Sequence, residues 1–400
     1  MNKTNIALVA KKYLLPFILI TSLFFMWGAA RSILDVLNKH FQILYDITKT
    51  RSALMQAMVY GAYFLGAIPA GIMIKRYGTR IGVVIGLLLF AIGSFLFLPA
   101  SSGVVFEYLL LPLFVIGCGL VILETAANPY VTLLGDPKTS AGRLNLAQSF
   151  NGLGCMVGVL LGGQFFLNGS TPASEVNIAI PYSIIGVIVV IVALTFTKIR
   201  LPEVINDESE ETKSKKLGKM FYFGFIALIA YEISEISINT FFINYMSDDG
   251  FLSPETASIV LSICGLGLFM AGRVIGSTLM KRIDTEKILL ACAIGTVATT
   301  AIAALPLGIV SKVSLIVCYI FESIMFPTIF ALSIRGLGAN TEKASSILMM
   351  SVVGGAIGPV ATGYAADMLS MQTSMIVPCS TFIIVLAFAF FANQRKPKSN

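Results

Sequence analysis

Ionisable and amide side chains stand inside stretches of this chain that are otherwise apolar. Three pairs of them are four residues apart: Arg31 and Asp35, Glu124 and Asn128, Glu235 and Asn239. Residues at positions i and i+4 share one face of an α-helix, so each pair would present polar groups to the same side. Ionisable residues inside membrane-spanning helices are costly and usually mark the pathway of a solute or an ion. These pairs, together with Glu322, are therefore candidate binding or coupling residues.

The types of the polar residues favour a sugar as the solute. Trp27 lies one turn before Arg31, and Gln148 and Asn151 are three residues apart. Sugar hydroxyls need partners that both donate and accept hydrogen bonds, as amides do, and the C–H face of a sugar ring stacks on aromatic side chains. A single buried amide is more simply explained by hydrogen bonds between helices. Polar stripes on three helices favour a solute site.

Enzymatic chemistry finds little support in the sequence. His40 is the one histidine, so a metal site with several histidines cannot be built. The six cysteines form no paired motif, and no phosphate-binding loop pattern occurs. We therefore expect a protein that is not an enzyme, with no cofactor beyond a coupling proton or sodium ion. His40 itself is expected to be a solvated residue at the outer end of the first helix.

The elements that must position these residues are membrane helices. Hydrophobic residues make up 56% of the 400 residues and charged residues 12%, with a mean hydropathy of +0.86. Soluble proteins carry about 25% charged residues, so this composition predicts an all-α polytopic membrane protein. Twelve apolar runs are long enough to span a membrane: 13–38, 50–74, 80–100, 104–133, 143–168, 178–197, 219–246, 253–280, 286–308, 311–337, 341–368 and 372–393.

Lysine and arginine residues predict the orientation of these helices. Most of them, Arg143 among them, fall in the segments that lie inside if the N-terminus is cytoplasmic. Because positive residues are enriched in cytoplasmic loops, both termini are expected to be cytoplasmic, in a multi-pass protein of the cytoplasmic (inner) membrane. The expected partners are a small sugar and the lipid bilayer, with no nucleic acid. The protein is expected to work as a monomer.

The chain is predicted to consist of two similar halves. Residues 1–197 and 219–400 each carry six of the predicted helices, and the polar segment 198–218 is expected to be a cytoplasmic linker. An acid, a proline five residues later, a loop and a glycine-rich helix follow one another in both halves, at Glu124–Pro129 and Glu322–Pro327. Two pseudo-symmetric six-helix bundles are typical of secondary transporters with the major facilitator fold.

Longer stretches of the sequence resemble one transporter family. They are ETAANPYVTLLG (124–135), RLNLAQSFNGLG (143–154), FFMWGAARSILDVLNKHF (24–41), IPAGIMIKRYG (68–78) and FPTIFALSIRGLG (326–338). These stretches are similar to the motifs of the fucose–galactose–glucose:cation symporter family, and the similarity extends over essentially the whole chain. The resemblance implies a proton- or sodium-coupled importer of a hexose or deoxyhexose that works by alternating access.

The resemblance also implies roles for individual residues. It points to Asp35 and Glu124 as the carboxylates that couple transport to the ion, and to Gln148 and Asn151 as sugar contacts. With the residues singled out above, the expected substrate-binding set is Trp27, Arg31, Asn128, Gln148, Asn151, Glu235, Asn239 and Glu322. Facilitated transport of the sugar without an ion is the alternative, although the buried acids argue against it.

Arg31 and Glu322 depart from the family pattern, which typically has a small amide and an uncharged residue at these positions. Arg31 is one turn from Asp35 and should favour the ionised form of that acid. Three fates are open for Arg31: an ion pair with Asp35, an ion pair with Glu322, or binding of an anionic substrate. A symporter for an acidic sugar held by Arg31 is therefore a second alternative.

Overall fold

A computed structural model describes residues 9, 11–100, 105–135, 140–169, 178–198, 217–280, 282–337 and 340–395 of the chain. These residues are almost entirely helical, and no strand occurs among them. They include 12 helices that are long and apolar enough to cross a membrane. The chain is therefore a multi-pass, all-α membrane protein, as the composition predicts.

The helices that can span a membrane correspond one to one with the predicted apolar runs. In chain order they are α1 (Leu14–Tyr45), α2 (Lys49–Tyr77), α3 (Thr79–Ala100), α4 (Phe106–Leu133), α5 (Gly142–Phe166), α6 (Ala179–Lys198), α7 (Lys219–Ser247), α8 (Pro254–Leu279), α9 (Thr285–Ala303), α10 (Ile309–Ile334), α11 (Ala344–Met368) and α12 (Thr373–Gln394). They are 19 to 32 residues long. At 1.5 Å per residue, such lengths match a hydrocarbon core of about 30 Å.

Several of these helices change geometry part-way. α8 passes through a π-helical turn at Leu261–Leu266, and α11 contains a 3₁₀ segment at Met350–Val353. α10 is interrupted between Glu322 and Met325. The interruption precedes Pro327, whose nitrogen has no hydrogen to donate to the carbonyl oxygen four residues earlier. Glu322 is therefore the last residue of the first segment of α10.

α1 is longer than the sequence predicts. The predicted run ends at residue 38, whereas the helix continues to Tyr45 and includes Lys39 and His40. His40 is fully buried, and its Nδ1 lies 2.8 Å from the backbone oxygen of Phe166 at the end of α5. The expectation of a solvated His40 is wrong, because α5 covers this turn of α1.

By its internal packing the chain divides into two compact units. The first unit comprises Met1–Ile33, Leu65–Gly158 and Val176–Ser209, and the second unit comprises Leu34–Phe64, Val159–Glu175 and Glu210–Asn400. Residues of α1, α2 and α5 thus belong to both units. Most of the predicted linker 198–218 lies outside the described residues. The predicted boundaries of the two six-helix halves stay a prediction.

In the first unit, α3 packs against α4 and α6. An added Cβ at Gly119 would lie 2.6 Å from the backbone oxygen of Gly86, and one at Gly93 would lie 2.7 Å from a side-chain carbon of Ile116. Small residues let helix backbones approach closely in a membrane, where packing and not the hydrophobic effect joins the helices. The close packing fixes the position of α4, which carries Glu124.

In the second unit, α7 packs against α11, α12 and the second segment of α10. Of its most apolar stretch, 67% is buried inside the protein. An added Cβ at Gly358 of α11 would lie 2.4 Å from the backbone oxygen of Ile233, so these two helices touch through their backbones. α7 therefore places Glu235 and Asn239 among other helices and not against lipid.

Candidate substrate and coupling site

In the first unit, α5 crosses α1 at very short range. An added Cβ at Gly154 would lie 2.1 Å from the backbone oxygen of Phe25, and one at Gly158 would lie 2.4 Å from that of Ala29. No side chain fits in these gaps, so the crossing requires glycine at both positions. The crossing sets the distance between the polar residues of α5 and the aromatic residues of α1.

The predicted aromatic platform on α1 is packed inside the protein. The ring centroids of Phe24 and Trp27 are 4.2 Å apart, and Trp27 is only 3% exposed. Asn151 Nδ2 donates a hydrogen bond to the backbone oxygen of Phe24 at 3.0 Å, and the Cys155 thiol lies 4.0 Å from Asn151 Oδ1. In this structure Asn151 thus joins α5 to α1. Its contact with sugar, like that of Trp27, stays a prediction.

Two of the predicted substrate residues meet between α4 and α5. Gln148 Nε2 donates to Asn128 Oδ1 at 3.3 Å, and both side chains are half-buried. Among the described residues, the Gln148 oxygen and the Asn128 nitrogen make no further hydrogen bond. One acceptor and one amide donor group are therefore available to a ligand that carries hydroxyls. Glu124, also half-buried, lies one turn before Asn128 on the same helix.

Arg143 has a structural role that the sequence analysis missed. The side chain is fully buried, although the sequence suggests only a positive residue near the cytoplasm. Its Nε donates to the backbone oxygen of Val131 at 3.0 Å, and its Nη2 donates to that of Thr132. A guanidinium at the C-terminal end of a helix satisfies carbonyl groups that lack intrahelical partners and complements the helix dipole. Arg143 therefore caps the C-terminal end of α4, which lies one turn after Asn128.

Asp35 belongs to the second unit and is half-buried. Gln56 Nε2, on α2, donates to Asp35 Oδ1 at 3.1 Å. Gln56 is 1% exposed, and no sequence pattern marked it as a partner of the acid. An amide donor orients a carboxyl group without supplying a positive charge. Gln56 therefore orients the Asp35 carboxyl group and adds no charge of its own.

Glu235 and Asn239 share a face of α7, as the sequence predicts, and a buried tyrosine extends their contact. Asn239 Nδ2 donates to Glu235 Oε1 at 3.4 Å, and Asn239 Oδ1 accepts from the Tyr319 hydroxyl at 2.8 Å. Tyr319 lies on α10 and is fully buried. Its hydroxyl therefore joins α10 to α7 in the second unit. From the sequence, Tyr319 is predicted only to be part of the apolar run 311–337.

The interruption of α10 is stabilised by side chains from two neighbouring helices. Tyr231, on α7, donates to the backbone oxygen of Glu322 at 3.2 Å. Arg273 Nε, on α8, donates at 3.2 Å to the backbone oxygen of Ser323, the carbonyl that Pro327 leaves without an amide partner. Glu322 has no exposed surface in this structure, so its predicted contact with substrate stays a prediction.

A polar cluster joins α1, α2 and α7 in the second unit, at the ends that the charge pattern predicts to be outside. Asp248 directly follows α7 and pairs with Lys39 Nζ at 2.6 Å and with Lys49 Nζ at 2.9 Å. One turn earlier, Asn244 Nδ2 donates to Gln42 Oε1 at 2.6 Å. We refer to these five residues as the Asp248 cluster. It connects the beginning of α2 and the last turns of α1 to the end of α7.

A second acid secures the same end of α2. Asp367, at the end of α11, accepts hydrogen bonds from the backbone amides of Lys49 at 3.0 Å and Thr50 at 2.8 Å, and from the Thr50 hydroxyl at 2.6 Å. A carboxylate at a helix N-terminus satisfies free amides and complements the helix dipole. Asp367 therefore joins α11 to α2.

The twelve membrane-length helices, the acids buried among them and the amide pair between α4 and α5 define a helical secondary transporter. A family model described as Major Facilitator Superfamily matches residues 17–351. The chain belongs to this superfamily, which is one of transporters and not of enzymes.

Individual relatives cover nearly the whole chain. The chain is 35% identical over 388 residues to the glucose/galactose transporter of Brucella abortus biovar 1 (strain 9-941), which covers 94% of this chain and 93% of that protein. It is 31% identical over 418 residues to the L-fucose-proton symporter of Escherichia coli (strain K12), and the aligned region covers 96% of this chain and 94% of that protein. The resemblance to the sugar symporter family is therefore confirmed.

Solved structures agree with this assignment. The crystal structure of a variant of the E. coli fucose:proton symporter FucP superimposes with a TM-score of 0.71 at 30% identity, and covers 95% of this chain and 99% of that chain. The inward-open xylose transporter XylE from E. coli superimposes with a TM-score of 0.74 at 11% identity, with 96% of each chain covered. The second similarity shows the fold alone.

Proposed function

We propose that the protein imports a hexose or deoxyhexose across the cytoplasmic membrane together with a proton or sodium ion, by alternating access. The relatives are a glucose/galactose transporter and an L-fucose-proton symporter. Neutral sugars of these classes carry several hydroxyls and no charge, so they need partners that donate and accept hydrogen bonds. The first unit offers such partners on α4 and α5.

The observation that carries the proposal is the amide pair between Gln148 and Asn128. Its hydrogen bond of 3.3 Å orients both amides and leaves an acceptor and a donor group for sugar hydroxyls. Glu124 lies one turn from Asn128 on α4, so a proton or cation taken up by this acid would change the field at the sugar. That link between ion and sugar is what symport requires. Asp35, oriented by Gln56, is the second coupling acid of the proposal.

The proposal assigns the Asp248 cluster and the Asp367 contacts to closure of the outer side. They join α1 and α2 to α7 and α11, and alternating access requires such contacts to form in one state and break in another. The charge pattern supports placing both termini in the cytoplasm. Topology reporters fused to each terminus test this placement.

The proposal also takes the monomer as the working unit. Light scattering of the purified protein in detergent measures its oligomeric state. A protein mass close to 42.9 kDa after subtraction of detergent is the expected result. A mass of twice that value would contradict the monomer.

Uptake of a panel of labelled sugars into proteoliposomes tests the function. A pH gradient and a sodium gradient are imposed separately, and empty liposomes serve as the control. The expected result is accumulation of one neutral hexose or deoxyhexose, driven by one of the two gradients. If no sugar of the panel enters faster than into empty liposomes, the proposed function is wrong.

The same experiment separates the alternatives. Equilibration of sugar without accumulation under either gradient would mark a facilitative uniporter. Preferred uptake of an acidic sugar, lost in Arg31→Ala, would mark Arg31 as the ligand of an anionic substrate. Retention of neutral-sugar binding in Arg31→Ala would show instead that the substrate does not depend on Arg31 as a ligand.

A further inference from the structure

The second unit contains a fully buried acid that the proposed mechanism does not use. Glu322 has 0% of its surface exposed, and neither of its carboxyl oxygens accepts a hydrogen bond from a described residue. It ends the first segment of α10, ahead of the interruption at Pro327. Buried polar groups are normally hydrogen-bonded, so the lack of a partner for the Glu322 carboxyl group needs a physical explanation.

Arg273, the cationic residue beside the interruption of α10, contacts groups other than the carboxyl group of Glu322. Arg273 Nε donates to the backbone oxygen of Ser323, and the guanidinium lies 4.7 Å from the centre of the Phe269 ring. The titratable groups on the membrane-embedded parts of α7, α9, α10 and α12 near Glu322 are acids, phenols and thiols: Tyr231, Glu232, Glu235, Cys292, Cys318, Tyr319 and Cys379. None of these brings a positive charge. α1 carries Asp35 and, one turn before it, Arg31. No described cation, Arg31 included, donates a hydrogen bond to either carboxyl oxygen of Glu322.

An isolated carboxylate in an apolar interior is strongly disfavoured relative to the neutral acid. We propose that Glu322 is protonated in this state and is a proton-binding residue of the transport cycle, in addition to Asp35 and Glu124. The proposal rests on the proposed symport and makes the proton a coupling ion. Release of the proton requires a state in which water reaches the carboxyl group, accepts the proton and solvates the carboxylate. The interruption of α10 at this residue allows the two helix segments to change their angle.

Infrared difference spectroscopy of the purified protein tests the protonation directly. Wild type at neutral pH should show the C=O stretching band of a protonated carboxylic acid, and Glu322→Gln should remove the contribution of Glu322 and so lower the intensity of that band. Glu286→Gln is the matched control, because Glu286 is also buried, at 5% exposed, but pairs with Arg335 at 2.6 Å, a positive partner that Glu322 does not have among the described residues. The band should persist in this control. A band of unchanged intensity in Glu322→Gln overturns the proposal.

A transport assay under a pH gradient tests whether the proton on Glu322 takes part in coupling. Each coupled proton raises the limiting accumulation of sugar about tenfold per unit of pH gradient, since one pH unit is a tenfold ratio of proton activity. Glu322→Gln should keep counterflow of labelled sugar and lose one proton per sugar. With a gradient of about one pH unit, its accumulation should be about tenfold below that of wild type.

The outcomes distinguish a wrong role for Glu322 from a wrong proposed function. Equal accumulation in wild type and Glu322→Gln would overturn the role of Glu322 and leave symport intact. Absence of sugar uptake in wild type would overturn the proposed function instead. Failure of Glu322→Gln to fold would also count against the proposal, because glutamine matches the shape and the charge of a protonated acid.

Discussion

Replacement of Asp248 by asparagine tests whether the Asp248 cluster closes the outer side. The change removes the charge that pairs with Lys39 at 2.6 Å and with Lys49 at 2.9 Å. It preserves the shape of the side chain and an oxygen that can still accept from Asn244. The lysine and aspartate side chains are 14% to 24% exposed, so both ion pairs are partly screened by solvent.

The size of the effect follows from this exposure. Partly exposed ion pairs contribute at most about 1 kcal/mol each, so the two pairs together contribute at most about 2 kcal/mol. A free energy of about 2 kcal/mol is roughly a thirtyfold change in an equilibrium constant. We therefore expect Asp248→Asn to raise the ratio of outward-open to outward-closed protein by up to about thirtyfold at low salt. The effect should shrink in high salt, because mobile ions already screen the pairs of the wild type.

Pulsed electron paramagnetic resonance between two spin labels measures this ratio. Cysteines replacing the exposed residues Arg51 on α2 and Phe251 after α7, in a background without native cysteines, place the labels on either side of the cluster. The population at long distance should grow in Asp248→Asn. Asp284→Asn is the control, because its pair with Lys287 at 3.5 Å is exposed and lies in the loop before α9. An unchanged distance distribution in Asp248→Asn at low salt would refute the reasoning.

Four further predictions concern coupling, binding, stability and pH. Glu124→Gln should abolish accumulation of sugar against its gradient but keep counterflow of labelled sugar; normal accumulation would contradict the coupling role. Gln148→Ala should weaken sugar affinity about five- to thirtyfold, because the lost hydrogen bond contributes about 1–2 kcal/mol to the free energy of binding. Asn151→Ala should in addition lower the melting temperature, because its amide bonds the backbone of α1; a melting temperature like that of Gln148→Ala would contradict this. Burial raises the pKa of Asp249, but hydrogen bonds from Lys312 and the backbone outweigh it and place the pKa below its usual value. The stabilisation by Asp249 is therefore present at neutral pH and lost as the pH falls through the lowered pKa, so the melting-temperature difference between wild type and Asp249→Asn should shrink below about pH 4.

The membrane class and the helices could be predicted from the sequence because both depend on local properties. A run of about 20 apolar residues is long enough to span a bilayer, whatever surrounds it. The shared face of Glu235 and Asn239 also follows from the helical period alone, and the two side chains are in contact. Helix ends are less well determined, as α1 shows, because a polar residue such as Lys39 does not end a helix that another helix covers.

Only the tertiary structure decided which polar side chains have partners. His40 is buried because α5 lies against it, Arg143 caps α4 across a loop, and Tyr319 reaches Asn239 from a helix distant in the chain. Glu235 and Glu322 are both glutamates in apolar runs. The carboxyl group of Glu235 accepts a hydrogen bond from Asn239, whereas that of Glu322 accepts none from a described residue. The helical period predicts which face of its helix a residue occupies. The state of a buried polar group depends on what the facing helix offers it, and that is set by packing between segments far apart in the sequence.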